Sequence, residues 1–281
     1  MTDQTPMGQP AAWAKQTGIL VQGLQDYRDA LDMLPREQCR SLIEMPKLHR
    51  HLTYMTPLDG WGTVAETHLG YMLTNEVNRL GQSLQKLTAW ASILKRVDIE
   101  VKHELLYEFV NPLAELALNL PFAIKNRFAF AAMRLSDEAN QLTQNSYSLE
   151  KTSDDTEAPH RWNDFWTYSR PWNGCSAVKT AVEGILPDSK NRNGPIETHR
   201  DRYAHRIPRY IGLGILESAL VEWQEHRWTV SISELPPIDL DGIVATLTPC
   251  HQACLDAHAK LCMLAAEQWQ HIQTQAKNQY E

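Results

Sequence analysis

Residues 73–94 read LTNEVNRLGQSLQKLTAWASIL. Within them Leu73, Val77, Leu80, Leu84, Leu87, Ala91 and Leu94 are spaced alternately four and three. At the 3.6-residue helical repeat this puts every one of them on a single stripe, so the stretch predicts a long helix with bundled partners. The same spacing returns on either side of it. Leu20, Leu24, Tyr27, Leu31 and Leu34 form a stripe that Pro35 stops or restarts, and Phe128, Ala132, Leu135, Ala139 and Leu142 form another. Leu255, His258, Cys262, Ala265, Trp269 and Ile272 form the last. Thr248 and Pro249 read as its N-cap and first-turn residue. Val101 to Leu120 is helical by pattern, with Pro112 and Pro121 expected to kink or break it, and a further helix is predicted over Trp166–Leu186.

Strand signals are few. Trp228–Ser233 alternates with period two and is rich in β-formers, and Pro236 and Pro237 end it. The fold class predicted is therefore all-α, a helical bundle with at most one short strand or hairpin near residues 228–233. Asn145–Pro159 is polar and acidic and Pro187–Pro195 carries turn chemistry, so both read as loops. The expected division is a helical region of unassigned role over residues 1–120 and a second helical domain over 121–281.

Composition sets the outer limits. The chain has 281 residues, 43% hydrophobic and 22% charged, a globular balance. A net charge of −7 excludes a protein that coats nucleic acid with its whole surface, so nucleic-acid contact needs a local patch. Apolar runs fall short of the ~20 residues a membrane helix needs. The polar start, Met1 to Trp13, lacks signal-peptide design. Five cysteines without a dense framework suit reduced thiols, and a cytoplasmic location is expected.

That local patch exists. Between Lys190 and Arg209 the chain carries Lys190, Arg192, Arg200, Arg202, Arg206 and Arg209 against Glu197 and Asp201 alone. Guanidinium forks match phosphate oxygens in pairs, which makes phosphate the expected ligand. His199 and His205 lie in the same run, and imidazole moves protons near neutral pH. Arginine with histidine and no carboxylate cluster suits metal-free cleavage of a phosphodiester, and no cofactor or metal is expected. On one helix Arg200 and His205 would stand about 140° apart, so a second copy of the segment could complete a site that one helix does not close.

Arg200-Asp201-Arg202-Tyr203-Ala204-His205 resembles the R-x4-6-H motif of the HEPN superfamily, small helical-bundle domains, many of them metal-independent endoribonucleases of toxin or phage-defence systems. The resemblance implies that Arg200 and His205 are catalytic and that Asp201, the polar residue after the arginine, assists. Lys190, Arg192, His199, Arg202, Arg206 and Arg209 would then bind the RNA substrate. It further implies a homodimer with the two motifs facing each other, and an antitoxin or defence-complex protein as partner. It covers about Phe122 to the C-terminus, with the motif helix joining the Phe128–Leu142, Trp166–Leu186 and Thr248–Gln275 helices. The competing reading is a non-catalytic helical module that binds protein or nucleic acid through residues 190–209.

Other constellations are weaker. Cys250, Cys254, His258 and Cys262 recur every fourth residue, but their ends lie about 18 Å apart along a helix, whereas zinc ligands must come within ~2.3 Å of the ion. Core packing is the better reading. His49, Arg50 and His51 read as a basic surface spot, and His103 with Glu100, Glu104 and Glu108 lacks the second Glu-x-x-His pair of a di-metal site. Gly212-Leu213-Gly214 lacks the third glycine of a phosphate loop.

Overall fold

A computed structural model describes residues 9–35, 43, 57–143, 171–186, 209–224 and 227–280. Helices dominate: α1 (Gln9–Asp32), α2 (Pro57–Ala65), α3 (Thr74–Leu94), α4 (Ile99–Leu105), α5 (Asn111–Thr143), α6 (Cys175–Ile185) and α7 (Leu240–Tyr280). Strands β1 (Leu216–Gln224) and β2 (Arg227–Leu235) pair as an antiparallel hairpin. The all-α expectation with one hairpin near residues 228–233 therefore holds. All seven residues of the 73–94 stripe are buried, as the spacing predicts.

Two compact units divide the chain, one from Met1–Arg40, Gln82–Asn119 and Ser189–Thr248, the other from Ser41–Gly81, Leu120–Asp188 and Pro249–Glu281. In the first, Trp90 stacks on Tyr27 and on Phe109, with ring centroids 4.8 and 5.5 Å apart. Gly23 presses against Leu105, where a Cβ would collide with the leucine methyls. Lys15 and Gln16 of α1 reach Glu100 and Glu104 of α4 at 2.9 and 2.8 Å, so two of the three carboxylates around His103 are already engaged. The hairpin's base is closed by a parallel bridge between Ile211 and Ile238, and by Gly212, whose φ of +74° glycine adopts freely.

In the second unit, Trp61 is 2% exposed, stacks on Trp269 at 5.6 Å and donates its indole N–H to the Leu135 carbonyl at 3.2 Å. Ser136 and Gln268 hydrogen-bond at 3.0 Å in the same core. Glu267 of α7 accepts the backbone N–H groups of both Asn173 and Gly174 at 2.9 Å, just before α6 begins at Cys175. A carboxylate at a helix N-terminus satisfies orphan donors and complements the helix dipole. Glu267→Gln is expected to lower unfolding free energy by about 1–2 kcal/mol, since hydrogen bonds to a charged acceptor are the stronger kind. Urea unfolding checks this, and an unchanged midpoint would refute it.

Two expectations about the last helix fail for identifiable reasons. The last helix starts at Leu240, not at Thr248–Pro249. Asp239 caps it by accepting the Gly242 N–H at 3.2 Å, while the Thr248 hydroxyl donates back to the Val244 carbonyl at 2.7 Å. Its buried line runs through Cys254, Ala257, Leu261, Leu264, Gln268 and Ile272, and the expected members Leu255, Cys262 and Trp269 are only partly buried. Pro121 lies inside α5 without ending it. The break in the 101–120 helix comes earlier, as a π-helical stretch at Leu106–Val110, where Asn111 N–H reaches the Leu106 carbonyl. That wider turn removes the i−4 alignment that would clash with the ring of Pro112.

Candidate functional site

Arg200, Asp201 and His205 lie outside the described residues, as do Lys190, Arg192, His199, Arg202 and Arg206. So do the His49–His51 spot and the two predicted loops at Asn145–Pro159 and Pro187–Pro195. Of the basic segment only its last member is described. Arg209 donates from Nε and Nη2 to the Pro236 carbonyl at 2.9 and 2.6 Å, and Ile238 N–H donates to the Tyr210 carbonyl at 2.7 Å. The segment's C-terminal end is thereby fastened to the base of the hairpin.

The described chemistry lies in the second unit, on the face of α7 that carries the cysteine and histidine ladder. A π-helical stretch at Glu66–Leu73 leaves the Leu69 carbonyl facing Thr74 N–H and the Thr74 hydroxyl, which donates to it at 3.0 Å. The Thr74 oxygen lies 3.0 Å from Nε2 of the buried His258, whose Nδ1 lies 3.6 Å from Cys262 Sγ. Having spent its one proton on Leu69, the hydroxyl must accept from His258, which assigns the proton to Nε2. Nδ1 is then the acceptor for the Cys262 thiol. The four groups form one neutral chain, thiol to imidazole to hydroxyl to carbonyl. Burial pushes His258 below the usual imidazole range, which the Leu69 carbonyl opposes only partly, and pushes the Cys262 thiol up to about 11. A thiolate–imidazolium pair is therefore disfavoured, and the chain pins the π-turn to α7 rather than activating a nucleophile.

About two turns back toward the start of α7, His251 packs on Gly81, where a Cβ would sit 2.8 Å from Nε2. Glycine at position 81 lets the ring reach the α3 backbone. Burial also lowers the pKa of His251, against a small opposing pull from the Val77 carbonyl. His68, edge-on to Phe130 at 5.2 Å, is lowered by burial and then by the Arg134 guanidinium. Cys250 and Cys254 are buried, and burial raises both thiols. Among the described residues no three His, Cys, Asp or Glu side chains come together as a metal site.

A pH dependence follows. The unfolded chain binds protons at histidine near pH 6.5, while His68, His251 and His258 resist protonation until lower pH. The unfolded state thus binds more protons as pH falls through 6.5, and stability drops, by at most ~1.4 kcal/mol per histidine per pH unit. Urea midpoints should be lower at pH 5.5 than at 7.5, with a shallower slope in His258→Gln. Equal midpoints would contradict the burial of these rings.

No helix among the described residues is long and apolar enough to cross a membrane. Comparison with protein-family profiles, curated proteins and solved structures returns no match to this chain.

Proposed function

We propose that the chain is a metal-independent endoribonuclease of HEPN type, acting in the cytoplasm in a toxin or phage-defence setting. The observation that carries this reading is the segment Lys190–Arg209, six cations against two carboxylates around His199 and His205, inside a chain of net charge −7. The helical frame is compatible with it. The histidines of the α7 face, by contrast, are buried and neutral, so they are poorly suited to meet a polyanion.

Arg200 grips the non-bridging oxygens of the scissile phosphate, where charge builds during attack. The ribose 2′-oxygen attacks phosphorus and loses its proton to an imidazole. The bond to the 5′-oxygen breaks, and that oxygen takes a proton from a second acid. His205 fills one of these roles, and His205 of a second copy fills the other across a two-fold axis. Asp201 assists by orienting its neighbours. Lys190, Arg192, His199, Arg202 and Arg206 hold flanking phosphates, Arg209 anchors the end of the segment on the Pro236 carbonyl, and a partner of the antitoxin or defence-complex kind restrains the activity.

The test is incubation of purified protein with single-stranded RNA in the presence of a chelator. Cleavage is the expected result. Salt-sensitive RNA binding without cleavage would replace the enzyme with a non-catalytic binding module. Neither binding nor cleavage would end both readings.

A further inference from the structure

We infer that His258 and Cys262 form a two-donor site for a soft monovalent cation, copper(I), which takes the place of the Cys262 thiol proton. The cysteine and histidine ladder of α7 is too long to share one ion, but this neighbouring pair is not. Nδ1 of His258 and Sγ of Cys262 lie 3.6 Å apart. Bonds of about 2.0 Å from imidazole nitrogen and about 2.3 Å from thiolate sulfur close a triangle on that span, with an angle of about 110° at the ion. That is a tetrahedral angle, which a filled d shell accepts without electronic penalty. The i, i+4 spacing is the one by which a single helix offers two ligands to one ion.

The imidazole is already held as a ligand is held. Its Nε2 lies 3.0 Å from the Thr74 hydroxyl, which donates to the Leu69 carbonyl at 3.0 Å. Ligating histidines are oriented in this way through their second nitrogen, which fixes the tautomer and makes the other nitrogen a better donor. Here the nitrogen left with a lone pair is Nδ1, the one that faces sulfur. Thr74 is 3% exposed, so bulk water hardly competes for its hydroxyl. It is a positioning residue for the site.

Charge selects the ion. His258 is 3% exposed, and burial disfavours a charged ring there. A thiolate, a neutral imidazole and a monovalent cation sum to zero. A divalent cation would leave a positive charge in the core, and among the described residues no third His, Cys, Asp or Glu joins the pair to offset it. Sulfur donors favour copper(I). Binding is an exchange without redox change: the S–H bond breaks, its proton leaves to solvent, and S–Cu and N–Cu bonds form. Two protein donors leave positions open on the ion, and Cys262 is only half-buried, so the site suits exchangeable copper rather than a structural metal. This inference does not rest on the RNA-cleavage reading.

Anaerobic titration of the full chain with copper(I), delivered from a chromogenic chelator, tests it. The wild type should withdraw one equivalent more than Cys262→Ser or His258→Gln, and release one proton with it. Thr74→Val should hold that equivalent about ten- to a hundredfold more weakly, the usual cost of losing the group behind a ligating histidine, and Thr74→Ser should restore it. Cys250→Ala/Cys254→Ala should keep it. Circular dichroism verifies that each variant is folded. X-ray absorption of the wild type with one equivalent bound, which depends on no variant, should find both nitrogen and sulfur around copper. Equal uptake by wild type and Cys262→Ser overturns the inference. So does sulfur-only coordination, or loss of the extra equivalent in Cys250→Ala/Cys254→Ala.

Discussion

Trp61→Ala is expected to lower the unfolding free energy by about 3–5 kcal/mol, the range for emptying a large aromatic site in a packed core. The indole is 2% exposed, stacks on Trp269 and donates to the Leu135 carbonyl at 3.2 Å. Its removal forfeits burial, the ring pair and the hydrogen bond together. The α5 and α7 groups that hold the indole restrict collapse into the gap, which keeps the cavity cost high. Trp61→Phe should recover much of the loss, since a ring remains to face Trp269. Urea unfolding followed by circular dichroism reads both variants. A loss under about 1 kcal/mol for the alanine variant would be inconsistent with a closed core at this position.

Arg200→Ala and His205→Ala are each expected to lower the RNA-cleavage rate by about 10²–10⁴-fold, the usual contribution of a positioned acid–base group or of a charge clamp on a phosphoryl oxygen. The two should differ in kind. Without the imidazole, the rate should lose the neutral-pH inflection that protonation of histidine imposes. Without the guanidinium, the inflection should persist at a reduced rate. Arg200→Lys should restore little, because an ammonium cannot bridge two oxygens in a plane. The double variant should be no worse than the poorer single one, as for groups that act as a unit. Single-turnover rates across pH measure all of this. Cleavage by both single variants at the wild-type rate would remove the catalytic assignment.

Much of the fold was legible because apolar period and burial coincide where apolar side chains alone fill a stripe, as in residues 73–94. On α7 they diverge. His251, His258 and Gln268 are buried polar residues, and the alanines are small enough to sit on either side, so the apparent stripe and the buried line differ by about one position. Proline at a first turn and proline inside a helix look alike in sequence, so Thr248 and Pro249 hid the true cap of α7 at Asp239. The π-helical stretches have no periodic signature at all, yet one of them creates the Leu69 carbonyl that anchors Thr74 and His258. In the hairpin, Trp-Thr-Val-Ser-Ile-Ser announced β2, whereas the consecutive Ala219, Leu220 and Val221 masked the alternation of β1. The basic segment was legible as charge. Its geometry is carried by residues outside those described, and its one described member, Arg209, grips a backbone carbonyl.

Mass spectrometry of the cut ends is the most direct check on metal-free attack by a ribose hydroxyl. RNA treated with wild-type protein and chelator should carry a 2′,3′-cyclic phosphate upstream of the cut and a 5′-hydroxyl downstream. Intact RNA, or 3′-hydroxyl and 5′-phosphate ends, would contradict it.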